Sequence, residues 1–514
     1  MTGKGAHMAT NTTDRGSSSF VEAQGKDYIA VTDLKAGEVG LTGAIMQNIT
    51  HIAPAIAAFF FTTTLVGNAG GQAPLAYLVG LIIVIPLGVC LMELARKFPS
   101  AGGYFTYVSR TLGPSMGFLT GWVFVLYSPV VAGPSLAVLG QILQDQIGLP
   151  WWITVVIGIP LVTWAGYTGI SFSIKFIVGV GIAEFLIVLA LGLTGLADPG
   201  PGGFTFAVFS PSFQATGAET TLAGFFVVVV LTVQGLTGWE AAVPLAEETS
   251  NPRRNVPRSI IASILIIGVM LVIAQWGQVV GWGITDLPNL LKSSVPAIDI
   301  AHRVWGGLWW LTLLAMITSV LGASLACQNV ATRMWYSMGR AGVLPASFGK
   351  VHPTRKTPTN AVTAQLILSI VLGFGGPWLF AQIEGKQDGW GDPWALFIFL
   401  IAYVLVLGVI FVYIAANVGV TVYYWNKARD EFNVFKHVVF PVGTSLILLY
   451  SIYVGFVQFA PAAPNNWTPV VAAIWLAIGI VILFVMKALG KSDWLNRAAA
   501  IVAEQEDTLH QHPL

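Results

Sequence analysis

Long apolar stretches alternate with short polar segments along most of this chain. A helix that crosses a bilayer needs about 20 mainly apolar residues, and twelve stretches reach or approach that length. Their approximate limits are 40–66, 74–95, 115–143, 151–168, 172–196, 222–246, 257–282, 307–335, 360–380, 393–424, 437–459 and 468–487. The pattern therefore predicts an all-α polytopic membrane protein with twelve transmembrane helices.

The overall composition supports a membrane protein. Hydrophobic residues make up 55% of the chain and charged residues 10%, whereas soluble domains carry about 25% charged residues. The net charge of +1 gives no indication of a nucleic-acid partner. Both cysteines, Cys90 and Cys327, lie inside apolar runs and show neither metal-ligand spacing nor a disulfide framework. We therefore expect the lipid bilayer as a partner, and neither a metal nor a cofactor.

The basic residues are distributed unevenly among the polar segments. If the N-terminus is inside, the outside segments hold only Lys292, Arg303 and Lys386 of the 25 Lys and Arg residues. Because positive residues concentrate on the cytoplasmic side, this predicts a multi-pass plasma-membrane protein with both termini in the cytoplasm. The polar ends, residues 1–38 and 488–514, are predicted to be cytoplasmic tails, and the first of them to be disordered.

The sixth apolar run contains an unusual group of small and polar residues, Thr232-Val-Gln-Gly-Leu-Thr-Gly-Trp-Glu240. Gly235 and Gly238 weaken the helix locally. Unwound backbone at membrane depth is tolerated only where it is buried in protein or lines a cavity. The group favours a broken helix of the kind whose exposed ends bind substrate and ions in transporters. A kinked helix with small residues for close packing is the alternative.

The first apolar run is interrupted in a similar way by Gln47, Asn48, Thr50 and His51. Pro54 follows them, has no amide hydrogen and clashes with the carbonyl of the residue four positions earlier, so the helix is predicted to break there. His51 has two interpretations, a cavity position or a packed, hydrogen-bonded histidine.

The two interrupted runs are five runs apart, which fits two five-helix repeats of inverted topology with a site between their first helices. We therefore predict a ten-helix transport core at 39–424, with repeats at about 39–197 and 219–424. Residues 425–487 would form two accessory helices.

Two carboxyl groups lie inside predicted spans, Glu184 in the fifth and Glu240 in the sixth. A charge at the centre of a membrane helix costs about 2.5–3.5 kcal/mol on insertion scales, so such groups are functional candidates. A carboxyl group held away from water is able to take up and release a proton during a transport cycle. The alternatives are a hydrogen-bonded structural acid at Glu184 and a cap for exposed amides at Glu240.

We expect a substrate to bind between the breaks of the first and sixth runs. Backbone carbonyls there would accept from an ammonium group, and positive helix ends would hold a carboxylate. The side chains of Thr318 and Ser319 in the eighth run could ligate sodium, so sodium stays open as a coupling ion. The candidate substrate-binding residues are Gln47, Asn48, Thr50, His51, Tyr127, Gln234, Leu236, Thr237 and Trp239.

Three longer motifs identify a family resemblance. They are Thr237-Gly-Trp-Glu240 followed by Ala246-Glu-Glu-Thr-Ser-Asn-Pro-Arg-Arg-Asn-Val-Pro257, then Glu93-Leu-Ala-Arg-Lys-Phe-Pro-Ser-Ala-Gly-Gly-Tyr104, and Met338-Gly-Arg-Ala-Gly-Val-Leu-Pro345 with Thr357-Pro358. In these motifs the chain resembles the amino acid–polyamine–organocation (APC) permeases, and matching features cover nearly its whole length. The resemblance implies a LeuT-like 5+5 inverted-repeat fold and secondary active transport of an amino acid or amine.

The chain departs from that family at three positions. Gln47-Asn-Ile49 stands where relatives that bind α-amino acids usually have a Gly-Ser-Gly-like triplet for the substrate carboxylate, which favours an amine without a carboxylate, such as a polyamine. Several relatives have a lysine in the fifth span whose charge takes the place of a sodium ion, and Glu184 stands at that position here. A glutamate in place of the lysine favours proton coupling. Gln234 replaces a frequent aromatic gate residue, and Trp239 is the nearest substitute.

Together these observations predict a transporter that imports an amino acid or organic amine with protons by alternating access. One alternative is a polyamine or amine uniporter or exchanger, which a proton gradient would not accelerate. A second is a transporter-like amino acid receptor, although the tails carry no recognisable signalling domain. An enzyme is not expected, because no nucleophile–base pair or metal cluster is visible.

Overall fold

The computed structural model describes residues 34–383, 391–458 and 461–489. Helices make up most of the described residues, which contain two isolated β-bridges but no strand. Ten of the described helices are long and apolar enough to cross a membrane. The chain is therefore an all-helical, multi-pass membrane protein, as predicted. Most of the two predicted tails lies outside the described residues.

Twelve apolar helices follow the order of the twelve apolar runs. Helix α1 consists of three pieces, Leu41–His51, Ile56–Phe60 and Thr62–Ala69. The others are α2 (Ala73–Lys97), α3 (Pro114–Ile147), α4 (Trp152–Thr168), α5 (Ile170–Ala197), α6 (Leu222–Gly235), α7 (Pro252–Trp282), α8 (Trp310–Arg340), α9 (Thr359–Ile383), α10 (Pro393–Asn426), α11 (Phe435–Gln458) and α12 (Asn465–Ala488). With 17 and 14 residues, α4 and α6 are short for a bilayer, so the number of twelve transmembrane helices stays a prediction.

Helix α1 is interrupted where Pro54 predicts a break. Its first piece ends at His51, and the next residues leave the helical path, with a backbone φ of 56° at Ala53. Because Pro54 cannot donate to the Thr50 carbonyl, that carbonyl accepts from the Ala53 amide instead, at 3.1 Å.

Helix α6 ends at Gly235, inside the glycine-containing group of the sixth run. Residues 236–242 form turns, and a short 3₁₀ helix, Val243–Glu248, follows them. Gly238 has a φ of 128°, and a Cβ atom there would lie 2.6 Å from Nδ1 of His51. Glycine is thus required at this position both by the backbone conformation and by the close approach of α1.

The packing of the helices places the two breaks at the centre of the molecule. The first piece of α1 packs against α5, α7 and α8, and α6 packs against α2 and the last piece of α1. Helix α10 packs against α11 and against a short helix at Tyr104–Leu112, while α12 lies at the outside against the start of α3. There the indoles of Trp122 and Trp475 stack, and each donates a hydrogen bond to the other's carbonyl.

Candidate functional site

A cavity of about 160 Å³ lies beside both helix breaks. Its wall comes mainly from α1, α3, α6, α8 and α10. From the breaks it extends along Phe61 and Leu65 of α1, Val138 of α3 and Phe397 of α10. In the orientation that the basic residues predict, these residues lie toward the outer side of the membrane.

The polar part of the cavity wall includes four of the predicted substrate-binding residues, His51, Tyr127, Gln234 and Thr237. The imidazole Nε2 of His51 is hydrogen-bonded to the Ser128 hydroxyl at 3.1 Å. Its ring meets the Tyr127 ring edge-on, with 5.7 Å between the centroids. The two breaks therefore bring residues from distant parts of the sequence to one cavity.

Three other predicted substrate-binding residues of α1 are buried but do not line this cavity. The Gln47 amide donates to the Ala326 carbonyl of α8 at 3.0 Å. The Asn48 carbonyl oxygen accepts from the Ala242 amide at 2.6 Å, so it holds the unwound backbone of the α6 break. Thr50 packs against glycines of α5 and α8. Each of them faces a neighbouring helix, and their role in substrate binding stays a prediction.

The remaining two predicted residues, Leu236 and Trp239, are each 1% exposed and do not line the cavity either. The indole of Trp239 packs against the Tyr413 ring of α10 at 5.5 Å between centroids. Both residues lie in the turn of the α6 break, and their side chains point into the protein interior. Their role in substrate binding stays a prediction.

The Glu240 carboxylate is the centre of a hydrogen-bonded cluster next to the cavity. Its Oε1 accepts from the hydroxyl groups of Tyr127 at 2.6 Å and Tyr413 at 2.7 Å. Its Oε2 accepts from the Gly238 amide at 3.1 Å, which is the type of contact that a cap of the broken helix would make. In the sequence Tyr413 is only a tyrosine inside an apolar run. A buried tyrosine hydroxyl group requires a hydrogen-bond partner, and this is the one signal that the sequence carries for this residue.

Glu184 on α5 is fully buried beside the α1 break, and it does not line the cavity. Neither carboxylate oxygen has a hydrogen-bond partner among the described residues. The Ser319 hydroxyl of α8 interacts with this carboxyl group without full hydrogen-bond geometry, and Ser319 also accepts from the Ala55 amide at 3.2 Å. The hydroxyl of Thr318 bonds back to carbonyls of its own helix, and sodium stays open as a coupling ion.

On the other side of the breaks, charged side chains connect α8 with the segment after α6. Arg333 is 1% exposed and makes two hydrogen bonds to the Glu248 carboxylate, at 2.8 and 3.2 Å. Arg340 contacts Glu247 at 2.6 Å. Val39 lies just before α1 and pairs with the segment after α6: its amide donates to the Glu248 carbonyl, and its carbonyl accepts from the Ser250 amide. These contacts join α1, α6 and α8 at the end that is predicted to be cytoplasmic.

Sequence reasoning also missed several apolar and weakly polar residues of the cavity wall. Phe61, Tyr77 and Cys327 line it, together with a stripe on α10 that includes Phe397 and Leu405. Apolar residues in an apolar run carry no positional signal, because a lipid-facing and a cavity-facing side chain have the same composition.

Comparisons with known proteins find a permease family and several similar transporters. A family model described as amino acid permease matches residues 43–496. The low-affinity putrescine importer PlaP of Escherichia coli (strain K12) is 25% identical over 346 residues, which cover 65% of this chain and 74% of the importer. The branched-chain amino acid permease BcaP of Bacillus subtilis (strain 168) is 24% identical over 489 residues, 89% of this chain and 95% of the permease. The serine/threonine exchanger SteT of the same organism is 23% identical over 308 residues, 59% and 68% of the two chains.

Proposed function

This chain belongs to the amino acid permease family, and we propose that it imports an amino acid or an organic amine across the plasma membrane by alternating access, coupled to protons. The observation that carries the proposal is the cavity that His51 of the α1 break and Thr237 of the α6 break share. Broken helices that meet at a central cavity are the usual construction of a transporter binding site. Relatives include a putrescine importer and a branched-chain amino acid permease, which supports this range of substrates.

We further propose a LeuT-like arrangement of twelve transmembrane helices, with both termini in the cytoplasm. The repeats would be about 39–197 and 219–424, so that α1 and α6 are equivalent, and 425–487 would add the accessory helices. Two facts support this arrangement. Helices α1 and α6 are both broken, and Gly238 of one break packs against His51 of the other. The segment after the α6 break continues as Val243–Glu248, which adds length to the short α6.

Transport requires the cavity to open to each side in turn. In the structure the cavity extends along the predicted outer halves of the helices. Glu248 and Arg333 lie buried on the opposite side. We propose that this state is closed to the cytoplasm, and that opening to the cytoplasm separates the α6 segment from α8.

We propose Glu184 as the carrier of the coupled proton. It is buried without a hydrogen-bond partner among the described residues, and an ionised carboxylate in such a place is costly unless it is paired. A bound proton removes this cost. Its contact Ser319 also binds the Ala55 amide of the α1 break, so a change in its protonation would act on the part of α1 that has to move.

The test is uptake by proteoliposomes that contain the purified protein, with radiolabelled amino acids and amines and with or without an acidic exterior. We expect at least one compound to accumulate, and the proton gradient to increase its accumulation. In Glu184→Gln the gradient should lose its effect, while exchange of substrate across the membrane persists. Glu219→Gln, a change of an exposed carboxylate, is the matched control.

Each other outcome has a definite meaning. Full proton-driven accumulation by Glu184→Gln would contradict the role assigned to Glu184. Glu240 would then be the remaining candidate for the proton-carrying carboxyl group. Uptake that no proton gradient accelerates would favour the uniporter or exchanger, a candidate that the similarity to a serine/threonine exchanger also supports. Binding of a compound without any transport would favour a receptor.

A further inference from the structure

The backbone amides of the α1 break are not free to bind a carboxylate. Ile52 donates to the Ile49 carbonyl and Ala53 to the Thr50 carbonyl, both at 3.1 Å. Pro54 has no amide hydrogen, and Ala55 donates to the Ser319 hydroxyl at 3.2 Å. Between Ile52 and Ala55 every backbone donor is therefore occupied or missing, so a carboxylate would have to displace one of these contacts to bind there.

The amides at the α6 break are engaged in a similar way. Leu236 and Thr237 donate to carbonyls of the preceding turn, each at 2.9 Å. Gly238 donates to the Glu240 carboxylate at 3.1 Å, and Ala242 to the Asn48 side chain at 2.6 Å. These four amides are occupied, and a substrate carboxylate would have to displace one of their contacts to bind them.

Charged side chains do not compensate for this. Among the described residues, no Lys, Arg, Asp or Glu lines the cavity. The Glu240 carboxylate lies behind Tyr127, and both of its oxygens already accept hydrogen bonds. A substrate carboxylate would lack a permanently positive partner, and a second ammonium group would lack a carboxylate, which is unfavourable for a charge away from water.

One ammonium group, in contrast, finds suitable partners near the breaks. The aromatic rings of Phe61, Tyr77, Tyr127 and Phe397 all line the cavity, and ring faces attract ammonium groups. His51 also lines the cavity, but its Nε2 is bonded to the Ser128 hydroxyl and its Nδ1 faces Gly238 of the α6 break, so the aromatic rings are the partners for the ammonium group. The rest of the wall is mainly aliphatic, with Leu65, Val138, Ile401 and Leu405 among its members.

We infer that the substrate is an organic monoamine with an apolar body and without a carboxylate. This inference rests on the proposed function, because it assigns a ligand class to the same cavity. The volume of about 160 Å³ fits the size: apolar cavities of about 150 Å³ hold a benzene-sized molecule. The aliphatic wall surrounds the apolar body, and the aromatic rings hold the ammonium group.

The position of Cys327 provides a direct binding assay. Cys327 lines the cavity, and the chain has two cysteines, so Cys90→Ser leaves Cys327 as the sole thiol. The thiol is treated with a small methanethiosulfonate, which forms a mixed disulfide with it and releases methanesulfinate, and the rate is followed in the presence of 2-phenylethylamine, L-phenylalanine, isoamylamine or putrescine. The first two differ only in the carboxylate, and the last two differ chiefly in the second ammonium group. Thermal unfolding of the wild-type protein with the same four compounds provides an independent readout.

We expect 2-phenylethylamine and isoamylamine to slow the disulfide formation about tenfold at about ten times their Kd and to raise the Tm. L-Phenylalanine and putrescine should do neither at the same concentrations. Equal or stronger protection or stabilisation by L-phenylalanine or putrescine would overturn the monoamine assignment, while the transporter proposal would stand. If none of the four compounds binds, the monoamine assignment is wrong, and the uptake experiment then decides separately on the transporter proposal. If the thiol does not react at all, the thermal shifts decide alone.

Discussion

Three groups donate hydrogen bonds to the Glu240 carboxylate, and each comes from a different part of the chain. Tyr127 belongs to α3, Tyr413 to α10 and Gly238 to the α6 break. A carboxylate with three partners at this depth fixes the relative positions of these elements. The same contacts explain why Glu240 is tolerated inside a span although it is 2% exposed.

Removal of one donor therefore tests the cluster. We predict that Tyr413→Phe lowers the free energy of unfolding by about 1–3 kcal/mol, because the carboxylate loses a hydrogen bond that nothing else replaces. Thermal unfolding in detergent measures the change. Tyr403→Phe, on the same helix but outside the cluster, should leave stability unchanged within about 0.5 kcal/mol. Equal stability of Tyr413→Phe and the wild type would show that the contact with α10 is dispensable.

Single residues also show which features of the site the sequence is able to predict. Of the residues predicted to bind substrate, His51, Tyr127, Gln234 and Thr237 line the cavity, whereas the Asn48 side chain contacts the backbone of the other break. Consecutive polar residues on a helix point in different directions, because each residue advances by about 100° around the axis. A sequence predicts how deep such polar residues lie in the membrane. The direction in which their side chains point follows only when the neighbouring helices are known.

At the scale of helices, the two breaks depend on each other. The Asn48 side chain of α1 accepts from the Ala242 amide and donates to hydroxyl groups of Ser259 and Ser263 on α7. The unwound segment of α6 therefore has a side chain of α1 as a partner for one of its amides. Buried backbone groups without such a partner are rare because they are costly.

We predict that Asn48→Ala lowers the free energy of unfolding by about 1–3 kcal/mol, since the Ala242 amide is left buried without an acceptor. The midpoint of thermal unfolding measures this loss. Asn68→Ala is the control, because Asn68 is part-exposed and its side chain bonds only to the preceding turn of its own helix. A loss of the same size in both variants would mean that the contact between the breaks contributes nothing specific.

The conformation of Gly238 makes a second prediction about the breaks. Its φ of 128° and the 2.6 Å approach of His51 leave no room for a side chain. We expect Gly238→Ala to separate the breaks, to lower the Tm and to abolish substrate uptake. Gly179→Ala on α5 is the matched control, because a Cβ at Gly179 meets nothing within 4 Å. Normal uptake by Gly238→Ala would show that the tight contact is not needed for transport.

The breaks themselves were predictable, and the reason is local. Pro54 removes a backbone donor in any environment, and glycine lowers helix stability wherever it stands. The helices accordingly end at His51 and Gly235. The contact of Tyr413 with Glu240 joins residues that are 173 positions apart, and no local property of either residue reveals it.

For the whole molecule, the structure is asymmetric about the two breaks. The cavity extends to one side, and on the other side Arg333 and Glu248 form a buried ion pair with exposures of 1% and 0%. Such a pair resists separation, because each charge left alone in the interior is costly. This asymmetry fits a transporter state in which the cavity is accessible from one side of the membrane and closed on the other.

The central claim is that the cavity between the breaks is where substrate passes. The most direct measurement is uptake by proteoliposomes of two variants with the same added side chain on α8. Ala323→Phe fills the cavity, whereas Leu314→Phe adds a ring at an exposed, membrane-facing position. We predict that Leu314→Phe retains uptake close to the wild-type rate and that Ala323→Phe, eluting as a folded protein in size-exclusion chromatography, loses it. Undiminished uptake by Ala323→Phe would contradict the assignment of this cavity as the transport site.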